Sequence, residues 1–396
     1  MVRGGGGGGG GSHRVMGRGG GRGGLKSRPP FIPHVPFDLV LAEPAFPPVK
    51  GNAANAEKEE ILQAALLKRN QDLSPSQSEQ TAITNLVAKI QGVLDNLIVS
   101  PGTFDACQIE EVRQVGPFKK GTLLTGNNVA EIVVVLKTLP TKEAVEALGN
   151  KVWETLKHKD HKEVLTMIPN DKGIDLSSPE ATTRILVTTL TANFRKLDAS
   201  IHMELKVVQA AHSAIRHTRW FEENAHHSSI RILIRLLHDL RRRFHGFEPL
   251  TPWMIDLLAH YAILNNPGRQ ALPLSLAYKR VFQLLSAGFF LPGSAGIADP
   301  CEQGALRIHT SLSLEEQDLI CLTAQTLLRV LTNGGHKQVL GIEGNSNIAS
   351  EVSVWEGVVV TPLERAYEKP EEKVEGEEDD MEGEPGTQED TMETGE

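Results

Sequence analysis

Gly121-Thr122, a short polar stretch holding Asn127 and Asn128, and the strand-like run from Val129 to Leu136 together have the layout of a two-metal phosphoryl-transfer site. Such chemistry needs two carboxylates, two residues apart, at the start of a strand, where alternate side chains share one face. Between them they hold two Mg²⁺ ions that align the attacking and leaving oxygens. The two positions here read Val129 and Glu131. Valine has no ligand atom, and one carboxylate is too little anionic charge for two divalent ions beside phosphates. The frame is complete and the catalyst is not, so the expectation is no catalytic residue and no metal. Gly121, Thr122, Asn127, Asn128 and Glu131 then form a degenerate pocket. Its side chains offer hydrogen bonds to a nucleotide or one carboxylate to a single ion; the competing reading is a retained fold position with nothing bound. If the chain were an enzyme after all, Asp198 and Glu204 are the carboxylates near a late strand that would complete the site.

Other groupings carry weaker signals. Gly116-Pro-Phe-Lys-Lys-Gly121-Thr122 resembles a phosphate-binding loop only superficially: no lysine stands between Gly121 and Thr122, and Pro117 removes a backbone donor. Histidines come in pairs at His158/His161, His212/His217 and His226/His227, with no neighbouring set that completes a zinc site. They read as structural. Arg231, Arg235 and the run Arg241-Arg242-Arg243 put positive charge along one helix and its end. That is equally a nucleic-acid patch and a set of cations favoured by a helix C-terminus.

These residues need elements to hold them. A helix is expected over about 57–70, then another capped by Ser74 with Pro75 in first position and carrying Ile83, Leu86, Val87, Ile90, Val93, Leu94 and Leu97 as one stripe. Strands are expected at 108–115, 132–136 and 184–190, with a helix over 142–158 between them. The chain then turns helical: 205–224, a helix from about Ser229, one capped by Thr251-Pro252, one over 274–287, and one opened by a Ser313/Glu316 capping box and ended at Gly334-Gly335. This is an α+β fold, a mixed-sheet lobe over about 29–204 followed by an all-helical lobe over about 205–367. The last long helix carries Leu314, Leu319, Leu322, Leu327, Leu328 and Leu331, more apolar surface than one core-facing stripe needs. Leu319, Leu322, Leu327 and Leu331 are therefore the expected dimer seam, against the reading of a helix wholly inside one core.

Charge sits on the tails. Residues 1–28 hold eight consecutive glycines from Gly4, the cations Arg3, Arg14, Arg18, Arg22, Lys26 and Arg28, and no acid. Such a segment buries too little surface to offset its backbone entropy, and Arg-Gly spacings suit RNA backbones and bases. Residues 368–396 carry fourteen Asp or Glu against Lys369 and Lys373, a run that repels itself and competes for basic partners or keeps the protein off nonspecific nucleic acid. The formal net charge of −9 hides this asymmetry. Three cysteines, Cys107, Cys301 and Cys321, make no disulfide framework. No apolar run reaches the roughly 18–20 residues needed to span a bilayer, so the expectation is a soluble intracellular protein.

Several long motifs name a family. Lys119-Lys120-Gly-Thr, Gly126-x-Asn-Val-Ala, Ile215-Arg-His-x-Arg-Trp-Phe-Glu-Glu-Asn224, Phe247-Glu-Pro-Leu-Thr-Pro-Trp253 and Leu291-Pro-Gly-Ser-x-Gly-Ile-x-Asp-Pro-Cys-Glu302 all resemble the DZF domain, the domain associated with zinc fingers. The resemblance runs nearly end to end. It implies a nucleotidyltransferase-like fold without transferase activity and without a cofactor. It also implies heterodimers with larger DZF proteins that carry double-stranded-RNA-binding domains or zinc fingers and supply most of the RNA or DNA recognition. Roles in transcription and RNA metabolism follow from it, in the nucleus, including the nucleolus, with some cytoplasmic protein. The sequence departs from the family's usual form at Asn127, where histidine is expected, and at Glu131, where aspartate is. A competing function is direct nucleic-acid binding through the Arg-Gly head and the basic helix face.

Overall fold

The computed structural model describes residues 53–268, 270–332, 334–343, 354–355 and 358–359, all within one compact unit. The Arg-Gly head, with Arg3, Arg14, Arg18 and Arg22, and the acidic tail lie outside the described residues. In chain order the elements are α1 (Ala53–Leu73), α2 (Gln77–Val99), β1 (Ile109–Val115), α3 (Gly116–Lys120), β2 (Val129–Leu136), α4 (Lys142–Lys159), β3 (Thr166–Asn170), β4 (Gly173–Ser177) and β5 (Thr182–Thr189). Then follow α5 (Leu205–Asn224), α6 (Ser228–Arg243), α7 (Pro252–Leu264), α8 (Leu274–Ser286), α9 (Leu314–Thr332) and α10 (His336–Val339). The α+β class expected from the sequence is the one observed.

The sheet has the order β1-β2-β5-β4-β3, with β2 and β5 parallel and every other pair antiparallel. β2 is covered on both faces, which is why it reads as a continuous apolar run. Ala130, Ile132, Val134 and Leu136 join the core formed with α2 and α4, while Val133 and Val135 pack with Val115 against Ala211 of α5. α2 is long and apolar enough to cross a bilayer by length and composition, contrary to the sequence expectation, yet its predicted stripe from Ile83 to Leu97 is buried in this sheet core. Its cap is Ser76, not Ser74: Ser76 Oγ accepts from the Glu79 amide and the Glu79 carboxylate accepts from the Ser76 amide. Ser74 instead donates to the Asn70 carbonyl at the end of α1.

Two further differences bear on the lobes. The β3–β4 hairpin, Thr166–Ser177, has no counterpart in the sequence expectation; β3 is an exposed edge strand containing Pro169 and lacks the alternation that marks a strand. α1 precedes the sheet in the chain but buries Leu62, Leu66 and Leu73 in the helical core. There Arg69 grips Asp239 of α6 at 3.0 Å. α5 serves both lobes, with Val208 in the sheet core and Phe221 in the helical core.

Several histidines are half-buried between these elements, and His309 is buried. Burial pushes His217 and His238 down to about 4 and lowers His212, His260 and His309 as well. Folded values below the unfolded value mean that the unfolded chain takes up protons first as pH falls. The stabilisation is therefore full above about pH 6.5 and is lost as pH falls through about 4. Urea unfolding should show near-constant stability from pH 7 to 8 and a loss of roughly 2 kcal/mol each for His217 and His238 by pH 5.

Candidate functional site

The register of the sheet decides what surrounds Glu131. It pairs with Val115 on β1 and with Arg184 on β5, and Arg184 pairs in turn with Asp175 on β4. These residues form one row across four strands, on the face turned toward α5. Arg184 Nη1 lies 3.8 Å from Glu131 Oε1, and its Nε donates to Asp175 Oδ1 at 3.1 Å. A guanidinium, charged at every accessible pH, thus sits between the two carboxylates. In the next row Val129 pairs with Thr182 and Thr182 with Ser177; the two hydroxyls bond each other at 2.9 Å.

Glu131 is also roofed. Gly116 adopts φ +71, and a Cβ there would lie 2.2 Å from Glu131 Oε2, so any other residue would strain the backbone and push this carboxylate aside. The residues after Gly116, including Lys119 and Lys120, form the single turn of α3 rather than a phosphate-binding loop.

The Gly121-Thr122 turn spends its polar groups internally. The Gly121 amide donates to the Phe118 carbonyl and the Thr122 amide to that of Pro117. The amide of Thr125 donates to the Leu73 carbonyl, and the Gly126 amide to the Glu79 carboxylate at 2.8 Å. That bond, with the Ser76 amide and the Thr125 hydroxyl, holds Glu79 at a pKa of about 2. Asn127 is exposed, while the Asn128 side chain donates to the Glu180 carbonyl. From α6, Arg235 donates to the Gly121 and Leu123 carbonyls and to Asn70.

Lys120, the cation beside this turn, faces away from it. Its Nζ is 2.6 Å from Asp256 Oδ2 on α7, and it lies over the rings of Phe221 and Trp253 at 5.6 and 5.5 Å. Asp256 is fully buried; desolvation raises its pKa and Lys120 pulls it back down. Asp256 is out of water and Lys120 mostly so, and each is the other's counter-ion.

The remaining sequence candidates disperse. Asp198 binds Ser200, and Met203, beside Glu204, bonds to the Pro140 carbonyl beyond the end of β2. Both acids therefore lie past the C-terminal ends of β2 and β5, whereas Glu131 is at the N-terminal end of its strand; they do not complete its site. Arg241 donates to the Glu248 carbonyl, Arg243 pairs with Asp239 and reaches the Val339 carbonyl, and Arg242 is exposed. Leu327 and Leu331 belong to the helical core, because they share a stripe with Ile320 and Ala324. Leu319 is 36% exposed and Leu322 half-buried. Sequence reasoning missed Arg184, Asp175, Glu79 and Asp256, all of which act through partners distant in the chain.

Comparison with known proteins gives the family. Residues 22–226 match the DZF N-terminal domain and residues 229–361 the DZF C-terminal domain. The chain belongs to the DZF family. The boundary between the two models falls after α5, not before it, consistent with the packing of that helix on the sheet. Among solved structures the DZF chain is similar to CdnC of E. coli MS115-1 in its complex with HORMA-deltaN, at TM-score 0.49 and 13% identity over 72% of this chain and 96% of that one. It is also similar to the Cid1 poly(U) polymerase (TM-score 0.45, 11% identity, 68% and 94% covered) and to a cytoplasmic RNA terminal U-transferase (0.40, 10%, 57% and 72%).

Replacing Lys120 by Met leaves Asp256 buried without a partner and should cost about 3–5 kcal/mol in urea unfolding. The double variant Lys120→Met/Asp256→Leu should recover most of that loss, which a double-mutant cycle reads directly.

Proposed function

We propose that this DZF protein is a catalytically inactive, nucleotidyltransferase-like scaffold. In this reading it is the smaller subunit of a heterodimer with a larger DZF protein that carries double-stranded-RNA-binding domains or zinc fingers. The observation that carries the reading is the row through Glu131: valine stands two residues before it and a guanidinium beside it, where a two-metal catalyst needs further carboxylates. A retained frame without metal-binding capacity is expected of a fold kept for the surface it presents. The chain acts in transcription regulation and RNA metabolism, in the nucleus and nucleolus with some cytoplasmic protein, and meets RNA or DNA mainly through its partner. It needs no cofactor; a nucleotide retained at 121–131 would be held by hydrogen bonds.

The proposed seam lies on the helical lobe. Leu314 and Leu319 of α9 stay exposed, as do Leu306 before it and Ile342 after it, and single-sided burial of such side chains is what dimerisation would remove from water. Direct nucleic-acid binding through the basic helix face is less well supported, since Arg241 and Arg243 are tied to neighbouring backbone and carboxylate groups. That reading rests on the head and on the exposed Arg231 and Arg242.

Light scattering of the full chain mixed with the DZF domain of a double-stranded-RNA-binding relative tests the scaffold reading. The expected result is a stable one-to-one complex, weakened at least tenfold by Leu314→Asp/Leu319→Asp and unchanged by Glu131→Gln. A chain that stays monomeric and ignores the partner contradicts it.

A further inference from the structure

His217 finds its neighbours only in the fold. Its ring stacks on Trp253 with centroids 4.0 Å apart and planes at 6°. Ligand atoms of His217, Asp299 and Cys301 all lie within 4.8 Å of one another. Asp299 and Cys301 come from the loop between α8 and α9, and among the described residues no other cluster of three His, Cys, Asp or Glu is this close. Tetrahedral zinc holds nitrogen, oxygen and sulfur ligands about 3.3–3.8 Å apart. The three groups therefore need side-chain adjustments of about 1 Å to close on an ion, without backbone rearrangement.

We propose that His217, Asp299 and Cys301 bind one zinc-class divalent ion, with water in the fourth position, and thereby tie α5 to the loop between α8 and α9.

The loop is already fixed by bonds that leave these ligand atoms available. Trp253 Nε1 donates to Asp299 Oδ2 at 3.0 Å, and the Cys301 amide donates to Asp299 Oδ1 at 2.8 Å. Each oxygen keeps a lone pair, and an indole N–H on a ligating carboxylate is the kind of outer contact that orients metal ligands. The Asp299 amide donates to the Leu306 carbonyl, and Arg216 donates to the Cys301 carbonyl and to Glu302, both at 2.6 Å.

Charge and donor type agree with zinc. One thiolate and one carboxylate offset a divalent ion, and the neutral imidazole supplies a third lone pair. The nearby cations are each paired elsewhere, Lys120 with Asp256 and Arg216 with Glu302. A mixed nitrogen, oxygen and sulfur set selects against Mg²⁺ and Ca²⁺, which take oxygen ligands. Binding forms the metal–sulfur bond as the Cys301 thiol loses its proton to solvent, one proton per ion. All three residues are part-exposed, so an ion has access from solvent.

The test uses the full chain without a histidine tag, stripped with a chelator and titrated with Co²⁺. The expected spectrum shows a thiolate-to-cobalt charge-transfer band that saturates at one ion per chain and is displaced by Zn²⁺. Cys301→Ser should abolish the band, and His217→Gln should weaken binding at least tenfold. Absence of the band, or a band unchanged in Cys301→Ser, overturns the site. A second measurement needs no variant: alkylation of Cys301, followed by mass spectrometry with buried Cys107 and Cys321 as internal references, should slow at least tenfold in Zn²⁺. Equal rates with and without Zn²⁺ overturn the proposal independently of whether the chain dimerises.

Discussion

The ion pair between Lys120 and Asp256 organises much of this molecule. It joins the short helix that follows the first strand to a helix of the other lobe, with Asp256 buried and Lys120 mostly so. A buried pair of this kind contributes little net stability compared with well-packed apolar residues, but losing one member is expensive. Its consequence is geometric. Lys120 stands next to the Gly121-Thr122 turn, where a phosphate site would want a cation, and the fold has turned that cation inward over Phe221 and Trp253. Arg235 then clamps the turn's carbonyls from the helical lobe, and the turn's own amides are largely committed to neighbouring carbonyls and to Glu79.

The sheet carries the same logic. At about 4 Å and an effective dielectric near 20, two unit charges interact by about 4 kcal/mol, and a divalent ion doubles that. Arg184 offsets one of the two negative charges of Glu131 and Asp175, and its guanidinium would repel an Mg²⁺ arriving beside Glu131 by an energy of that order, offsetting much of what the carboxylate offers. Val129 adds nothing to oppose it. The row thus differs from a two-metal layout in two ways, by the valine at 129 and by a resident cation that only the register shows.

What was legible in the sequence follows from locality. The stripe on α2, the buried run of β2, and the Thr251 and Ser313 caps are encoded within one element and were readable from spacing. The spacing puts the cap at Ser74, two residues early, because Ser74-Pro75 presents its own cap signature; the capping box at Ser76 and Glu79 decides between them. The β3–β4 hairpin was invisible because its edge strand is exposed and contains Pro169. Arg184 could be named as part of a strand, but its placement opposite Glu131 depends on a parallel pairing that no local pattern encodes. Leu327 and Leu331 looked like seam residues because composition alone cannot tell which of two stripes a helix turns inward. The cysteines and histidines likewise gave no metal signal in sequence, since His217 and the Asp299–Cys301 loop meet only after α5 and α7 have packed.

Transfer of a labelled nucleotide to the 3′ end of an RNA, with Mg²⁺ or Mn²⁺ and the pure chain, tests the central claim most directly. The account predicts incorporation no greater than in protein-free buffer with either metal. Incorporation above that level, abolished by Glu131→Gln, would show that the carboxylate beneath Gly116 still holds a catalytic ion and would contradict it.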